Sequence, residues 1–162
     1  MKIHVTGNAG SGKTTLAAKL GDALELPVFG LDSVVWQPGW RKTPASERAG
    51  LEQALIQQPA WVIEGVSDAV RAAADVVVFL DVPRRICYLR CLKRNLPYLF
   101  ASRPGLPEDC PEYRIAPYLV RLIWRFPKHV RPRINADAPW RFERSPLVEP
   151  LIERLADHRL SG

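Results

Sequence analysis

The chain has too little of several things to belong to several classes of protein. No apolar run approaches the roughly 20 residues of a membrane-spanning helix, so no such helix is expected. Lys13 and the glycines around it interrupt any early apolar stretch, and no secretory leader is expected. Cysteine is scarce and odd in number: Cys87, Cys91 and Cys110 include no C-x-x-C pair and have no nearby histidine. That spacing excludes a disulfide framework and a zinc site, and buried thiols in a reducing cytoplasm are expected instead. There is no internal repeat and no low-complexity tract. Acidic residues are scarce in one place only. Residues 84–144 carry five Asp and Glu against fourteen Lys and Arg, a local excess of +9 in a chain whose net charge is +6. Such a segment binds nucleic acid, closes over a polyphosphate, or is a solvated basic face.

What is present is concentrated in MKIHVTGNAGSGKTT. Gly7, Gly12, Lys13 and Thr14 satisfy G-x-x-x-x-G-K-[ST], with Asn8, Ala9, Gly10 and Ser11 between them. Ile3 and Val5 read as a short buried strand, and Leu16, Ala17 and Leu20 as the apolar stripe of a helix. A strand, a glycine-rich turn and a helix in that order are the context the motif requires. Glycines let successive backbone N–H groups point into one concavity, and the start of a helix adds unpaired donors and partial positive charge. A nucleoside triphosphate is therefore the expected ligand. Lys13 reaches its β- and γ-phosphates, the Thr14 hydroxyl ligates Mg²⁺, and Thr15 assists at the α-phosphate.

The 162 residues suit one domain. A helix is expected over 13–24, a strand over 27–29 and an amphipathic helix over 44–58. That helix has Thr43 as its cap, apolar positions at Ala45, Leu51, Leu55 and Ile56, and Glu52 among its polar ones. Further strands are expected over 61–63 and 76–80, then a helix over 84–96 with Ile86, Leu89 and possible Cys87 facing inward. A stretch over 112–130 is expected to be interrupted by Pro117 and Pro127. Trp140 and Phe142 form a last strand, and Ser145 caps a closing helix. Three carboxylates follow strand ends, on the edge where open α/β sheets bind ligands: Asp32, Glu64 and Asp81. Asp32 binds an acceptor hydroxyl, acts as general base, or only caps the turn that follows. Trp36 and Trp40 line an acceptor pocket or pack. Glu64 and Asp81 compete for the place beside magnesium.

Together these features resemble the nucleoside and nucleotide kinases of the P-loop superfamily, and adenylate kinases in particular. The patterns GxxGSGKTTLAxxLG, LDxxxWxPGW, WVIEG, FLDVPR and WRFPKxxRPR are similar to the small bacterial P-loop kinases labelled topology modulation proteins, over nearly the whole chain. The resemblance implies an α/β, three-layer P-loop fold with a five-stranded parallel sheet in the order 2-3-1-4-5. It also implies one domain over 1–162 with an arginine-rich helical lid inserted at about 95–133. It places Arg90 on the ATP base and Arg94 at the transferring phosphates, makes Asp81 a structural residue, and puts Glu64 near magnesium through water. Arg121, Arg125, Arg131 and Arg133 are candidates to complete the lid. Adenylate kinases continue their Asp-Gly pair with Phe-Pro-Arg; here Val66-Ser67-Asp68 follows Gly65, and the next arginine is Arg71. The expected activity is transfer of the γ-phosphate of Mg-ATP to a small acceptor, a nucleoside, nucleotide or similar hydroxyl compound, with Lys13, Asp32, Arg90 and Arg94 as the catalytic set. A nucleotide-gated nucleic-acid-binding protein, related to DNA topology, is the alternative.

Overall fold

The computed structural model describes residues 1–102, 106–137, 139–144 and 146–160. Strand β1 (Lys2–Gly7) runs into the glycine loop and helix α1 (Lys13–Leu24). Strand β2 (Val28–Gly30) leads to the short helix α2 (Asp32–Val35). Strands β3 (Trp36–Gln37) and β4 (Arg41–Lys42) then form a small antiparallel hairpin around the turn Pro38–Trp40. Helix α3 (Ala45–Ile56), strand β5 (Trp61–Glu64), helix α4 (Asp68–Ala73) and strand β6 (Val76–Leu80) follow. Helix α5 (Arg84–Asn95), a 3₁₀ turn (Leu96–Tyr98), helices α6 (Glu112–His129) and α7 (Arg131–Asn135), strand β7 (Trp140–Phe142) and helix α8 (Val148–Leu160) complete the chain.

The main sheet is parallel throughout, in the order β2-β5-β1-β6-β7. The numbering departs from the expected 2-3-1-4-5 because the hairpin β3–β4 lies outside this sheet; its own five strands, counted alone, follow that order. Helices cover both faces. Ile3, Val5, Val78 and Leu80 pack with Leu16 and Leu20 of α1 and with Leu151 and Leu155 of α8. Trp61 and Ile63 pack with Ile56 of α3 and Val70 of α4, and Phe79 packs with Phe126 and Ile134. A central strand buried on both faces has no solvent side for polar residues, so His4 and Thr6 of β1 are buried as fully as Ile3 and Val5. The switch point falls at β1, flanked by β5 and β6, and brings the ends of both neighbours to the glycine loop.

Several local expectations are corrected. Helix α3 begins at Ala45, its capping position is Pro44, and no side chain caps it. Thr43 is buried and donates its backbone N–H to the Val35 carbonyl, which ties the hairpin rather than the helix. On α3 Leu51 is exposed and Glu52 buried, because Glu52 accepts a 2.6 Å hydrogen bond from Ser67 Oγ and pairs with Arg48 at 3.2 Å. Helix α4, which caps itself through Ser67, was not anticipated. On α5 the inward stripe is Cys87 and Cys91, and Leu89 is exposed. Helix α6 is continuous through Pro117 and Pro127. Each internal proline costs roughly 3 kcal/mol. Ile115, Ile123 and Phe126 are buried along the same helix, and about 1.5–3 kcal/mol for each is comparable to that cost. The expected cap at Ser145 lies outside the described residues.

Candidate functional site

The loop between β1 and α1 is shaped by what presses on it from behind. Gly10 has φ +76°, and a Cβ there would lie 2.5 Å from the Cys87 carbonyl oxygen and 2.8 Å from Cys91 Sγ. Only a residue without a side chain fits between the loop and α5. This explains why the small, buried Cys87 and Cys91 form the inward face of that helix. Burial pushes the Cys87 thiol up to about 11, with Cys91 adding to it, so it is an inert packing group. Asn8 is buried and braces the loop twice. Its Oδ1 accepts from the Ala9 N–H at 2.8 Å, and its Nδ2 donates to the Ile123 carbonyl of α6 at 3.1 Å. The Ser11 N–H donates to the Asn8 carbonyl at 3.1 Å, and Gly12, in a left-handed conformation, caps α1. Gly7 closes the strand, Ala9 packs against the core, and Thr15 is exposed on the first turn of α1.

Three of the expected functional side chains meet at this loop. Lys13 Nζ donates to the Asn8 carbonyl at 3.0 Å, folded back across the loop. Thr14 Oγ donates to Glu64 Oε1 at 3.0 Å, joining residues fifty positions apart. Glu64 is buried at the end of β5, with its Oε1 3.2 Å from where a Gly30 side chain would begin. A hydroxyl and a carboxylate in contact at a helix start are hard oxygen donors of the kind magnesium takes, and a cation that keeps its own waters fits them. No cluster of three or more His, Cys, Asp or Glu able to hold a metal occurs among the described residues, so phosphate oxygens would supply the remaining donors. Arg90, the fourth residue, donates from Nη1 to the Ser11 carbonyl at 3.1 Å and so lies against the loop's outer wall.

The remaining candidates are placed differently. Arg94 is turned along its own helix, donating to Asn95 Oδ1 at 2.8 Å. Asp32 is the exposed first residue of α2, one position after Leu31 at the cap. Asp81 is buried and held by two arginines, by Arg131 Nη2 at 2.7 Å and by Arg141 Nη2 at 2.5 Å. It anchors α7 and β7 to the end of β6, while the contact with Thr14 belongs to Glu64. Arg131 is thereby engaged, and Arg133 is ion-paired with Asp68. Arg121 and Arg125 stand exposed on α6. Arg71, the first arginine after Gly65, pairs with Asp68 at 2.7 Å and with Asp137.

His4 had no sequence signal, and packing is the alternative that the structure shows for Trp36 and Trp40. His4 sits beneath the site with Nε2 3.1 Å from the Gly65 carbonyl and Nδ1 buried without a hydrogen-bond partner. That pattern fits a neutral ring protonated on Nε2. Burial lowers its pKa from 6.5 to about 4; the Gly65 hydrogen bond opposes the shift, and the charges of Arg71 and Lys13 add to it. The tryptophans pack between the hairpin and the 106–118 segment. Trp40 donates from Nε1 to the Pro111 carbonyl at 2.8 Å and from its backbone to Cys110 Sγ at 3.4 Å. Trp36 packs edge-on against Trp40 and Tyr118, with Lys42 Nζ 5.0 Å from the Tyr118 ring centre. The two tryptophans therefore join the hairpin to α6.

No family model matches the chain, and no curated protein matches it. Among solved structures its fold is similar to shikimate kinase from Aquifex aeolicus, at 16% identity with both chains covered in full and a TM-score of 0.59. It is similar also to deoxyadenosine kinase from M. mycoides with bound dATP, at 13% identity with both chains covered in full and a TM-score of 0.58. A third is shikimate kinase from Acinetobacter baumannii in complex with shikimate, at 16% identity over 99% of this chain and 93% of that one, with a TM-score of 0.59. At these identities the likeness is one of fold.

Proposed function

We propose that the protein is an ATP-dependent phosphotransferase acting on a small hydroxyl-bearing acceptor. The observation that carries this is the contact of Thr14 Oγ with Glu64 Oε1 beside the glycine loop and Lys13. Kinases of shikimate and of deoxyadenosine share the fold, which adds support. Backbone N–H groups of residues 7–14 and the start of α1 bind the phosphates, and Lys13 exchanges the Asn8 carbonyl for phosphate oxygens. Mg²⁺, held by Thr14 and through water by Glu64, would neutralise charge on the β- and γ-phosphates. Arg90 lies against the loop, and Arg94 swings from Asn95 to the transferring group; Ile123 and Phe126 hold α6 in the core, so closure falls to the part of the 95–133 lid that precedes α6. Asp32 contacts the acceptor hydroxyl. Positioning and electrostatics do most of the work, and closure excludes water.

The fate of Arg71, the first arginine after Gly65, favours a hydroxyl compound over one that already carries a phosphate. Arg71 is committed to Asp68 and Asp137. A phosphate acceptor wants a bidentate arginine. The test is Mg-ATP turnover against nucleosides, nucleoside monophosphates and small polyols, with ADP release and acceptor phosphorylation followed separately in wild type and Lys13→Ala. One hydroxyl acceptor phosphorylated in step with ADP, and lost in Lys13→Ala, is expected. ADP release unchanged by every acceptor would overturn phosphotransfer.

A further inference from the structure

Helices α5 and α6 lie side by side, tied by Tyr88 Oη donating to the Val120 carbonyl at 3.0 Å and by Arg84 stacked 4.4 Å over Trp124. Among the described residues, eight of the twelve large exposed apolar side chains fall on these two helices and the turn between them. They are not scattered. Leu89 and Leu92 on α5 and Leu96 in the turn that continues it recur at i, i+3 and i+7, and Tyr113, Val120 and Trp124 at i, i+7 and i+11 on α6, so each set shares a helix face. Leu89 is 67% exposed, Leu92 65% and Trp124 64%, and Phe100, against Tyr113, is 86% exposed. Scattered apolar residues at a surface are ordinary; apolar faces on two adjoining helices mark a surface that is covered in use.

The flanks of the stripe identify what covers it. Arg85 heads the leucine face of α5 and Lys93 flanks it, and Arg121 and Lys128 flank the face of α6, all exposed. At its end a cleft of about 520 Å³ is lined by Arg84, Trp124, Arg125 and Lys128 among others. These groups belong to the stretch whose excess is +9. A second copy of the chain would set like charges against each other along both edges. A nucleic acid would engage the cations and leave the leucines in water. An apolar strip bearing Trp and Phe, with long cationic side chains on both borders, matches the headgroup region of an anionic bilayer. There the apolar groups enter the acyl boundary, and Arg and Lys reach anionic headgroups.

We infer that the outer face of α5 and α6 is a docking surface for anionic membrane lipid. Cys87 and Cys91 hold the opposite face of α5 against the glycine loop, so the loop stays accessible while the stripe is covered. The test is sedimentation of the full chain with phosphatidylcholine vesicles made with and without phosphatidylglycerol, at low and high salt, with analytical ultracentrifugation of the protein alone. Expected is binding that needs phosphatidylglycerol and weakens with salt. It should fall at least tenfold in Leu92→Glu/Trp124→Glu and in Arg85→Gln/Lys93→Gln, since one basic residue near an anionic surface contributes about fivefold. Both pairs should keep the wild-type unfolding transition and nucleotide affinity, because all four residues are exposed. Binding to neither vesicle overturns the inference. So does a dimer abolished by Leu92→Glu/Trp124→Glu, which would assign the stripe to a second copy. Vesicle binding that the Leu92→Glu/Trp124→Glu pair leaves intact would reduce it to unspecific charge and overturn it equally.

Discussion

Lowering the pH through the range in which free histidine titrates should destabilise this protein through His4. In the folded chain the ring is fully buried on β1, has one bonding partner in the Gly65 carbonyl, and has a pKa of about 4; unfolded, it returns to 6.5. Between those values the unfolded state binds a proton that the folded state refuses. Stability is therefore fully present above pH 6.5 and is lost as pH falls towards 4. The whole difference corresponds to about 3 kcal/mol, of which about 2 kcal/mol is lost between pH 7 and pH 5. For a chain of this length that is a fall in Tm of about 4–8 °C. Carboxylates also titrate near this range, so the assay is a double difference. Urea unfolding is measured at pH 7 and pH 5 in wild type and in His4→Gln, which keeps a donor for Gly65 and cannot protonate. The wild type should lose about 2 kcal/mol more than the variant. Equal losses in both would refute the buried neutral ring. An imidazole titration followed by ¹⁵N shifts, with no inflection above pH 5, is the direct check.

Other perturbations separate loop, metal site and scaffold. Gly10→Ala places a methyl against the Cys87 carbonyl in a left-handed backbone conformation, and should lower stability by about 1–3 kcal/mol and weaken ATP binding in calorimetry. Glu64→Gln keeps the shape beside Thr14 but removes the charge; kcat should fall about 10²-fold, with a higher Mg²⁺ concentration needed for half-maximal rate. An unchanged Mg²⁺ dependence would move the metal role away from Glu64. Asp81→Asn strips the charge that Arg131 and Arg141 share. Chemical denaturation should show a loss of about 1–3 kcal/mol, discounted from a fully buried pair because both arginines are partly exposed, with ATP affinity unchanged.

The glycine loop and the flanking helix α1 were legible because their cause is local. Gly7 to Thr14 need particular residues at fixed offsets, and Leu16, Ala17 and Leu20 show a helical period over a few turns. Strand β6 was legible for the same reason, as five consecutive apolar residues. Helix α4 was missed because six residues are too few to show a period. Leu89 and Glu52 were misplaced because amphipathic periodicity assumes that every exposed face is polar and every buried face apolar. On α5 the tight approach to Gly10 reserves the inner face for cysteines, and on α3 the Ser67 hydroxyl makes a buried carboxylate tolerable.

The sequence by itself determined that a glycine loop of the G-x-x-x-x-G-K-[ST] pattern stands between a buried strand and a helix, and that three carboxylates follow strand ends. Only the tertiary structure shows which of them Thr14 meets. Strand order sets β5 and β6 on either side of β1 and brings the ends of both to the loop; Thr14 contacts Glu64 across fifty residues, while Asp81 is taken up by the arginines of α7 and β7. The physical reason is that residue type specifies the chemistry a side chain can do, whereas the partner it does it with is set by sheet topology, which no local pattern encodes.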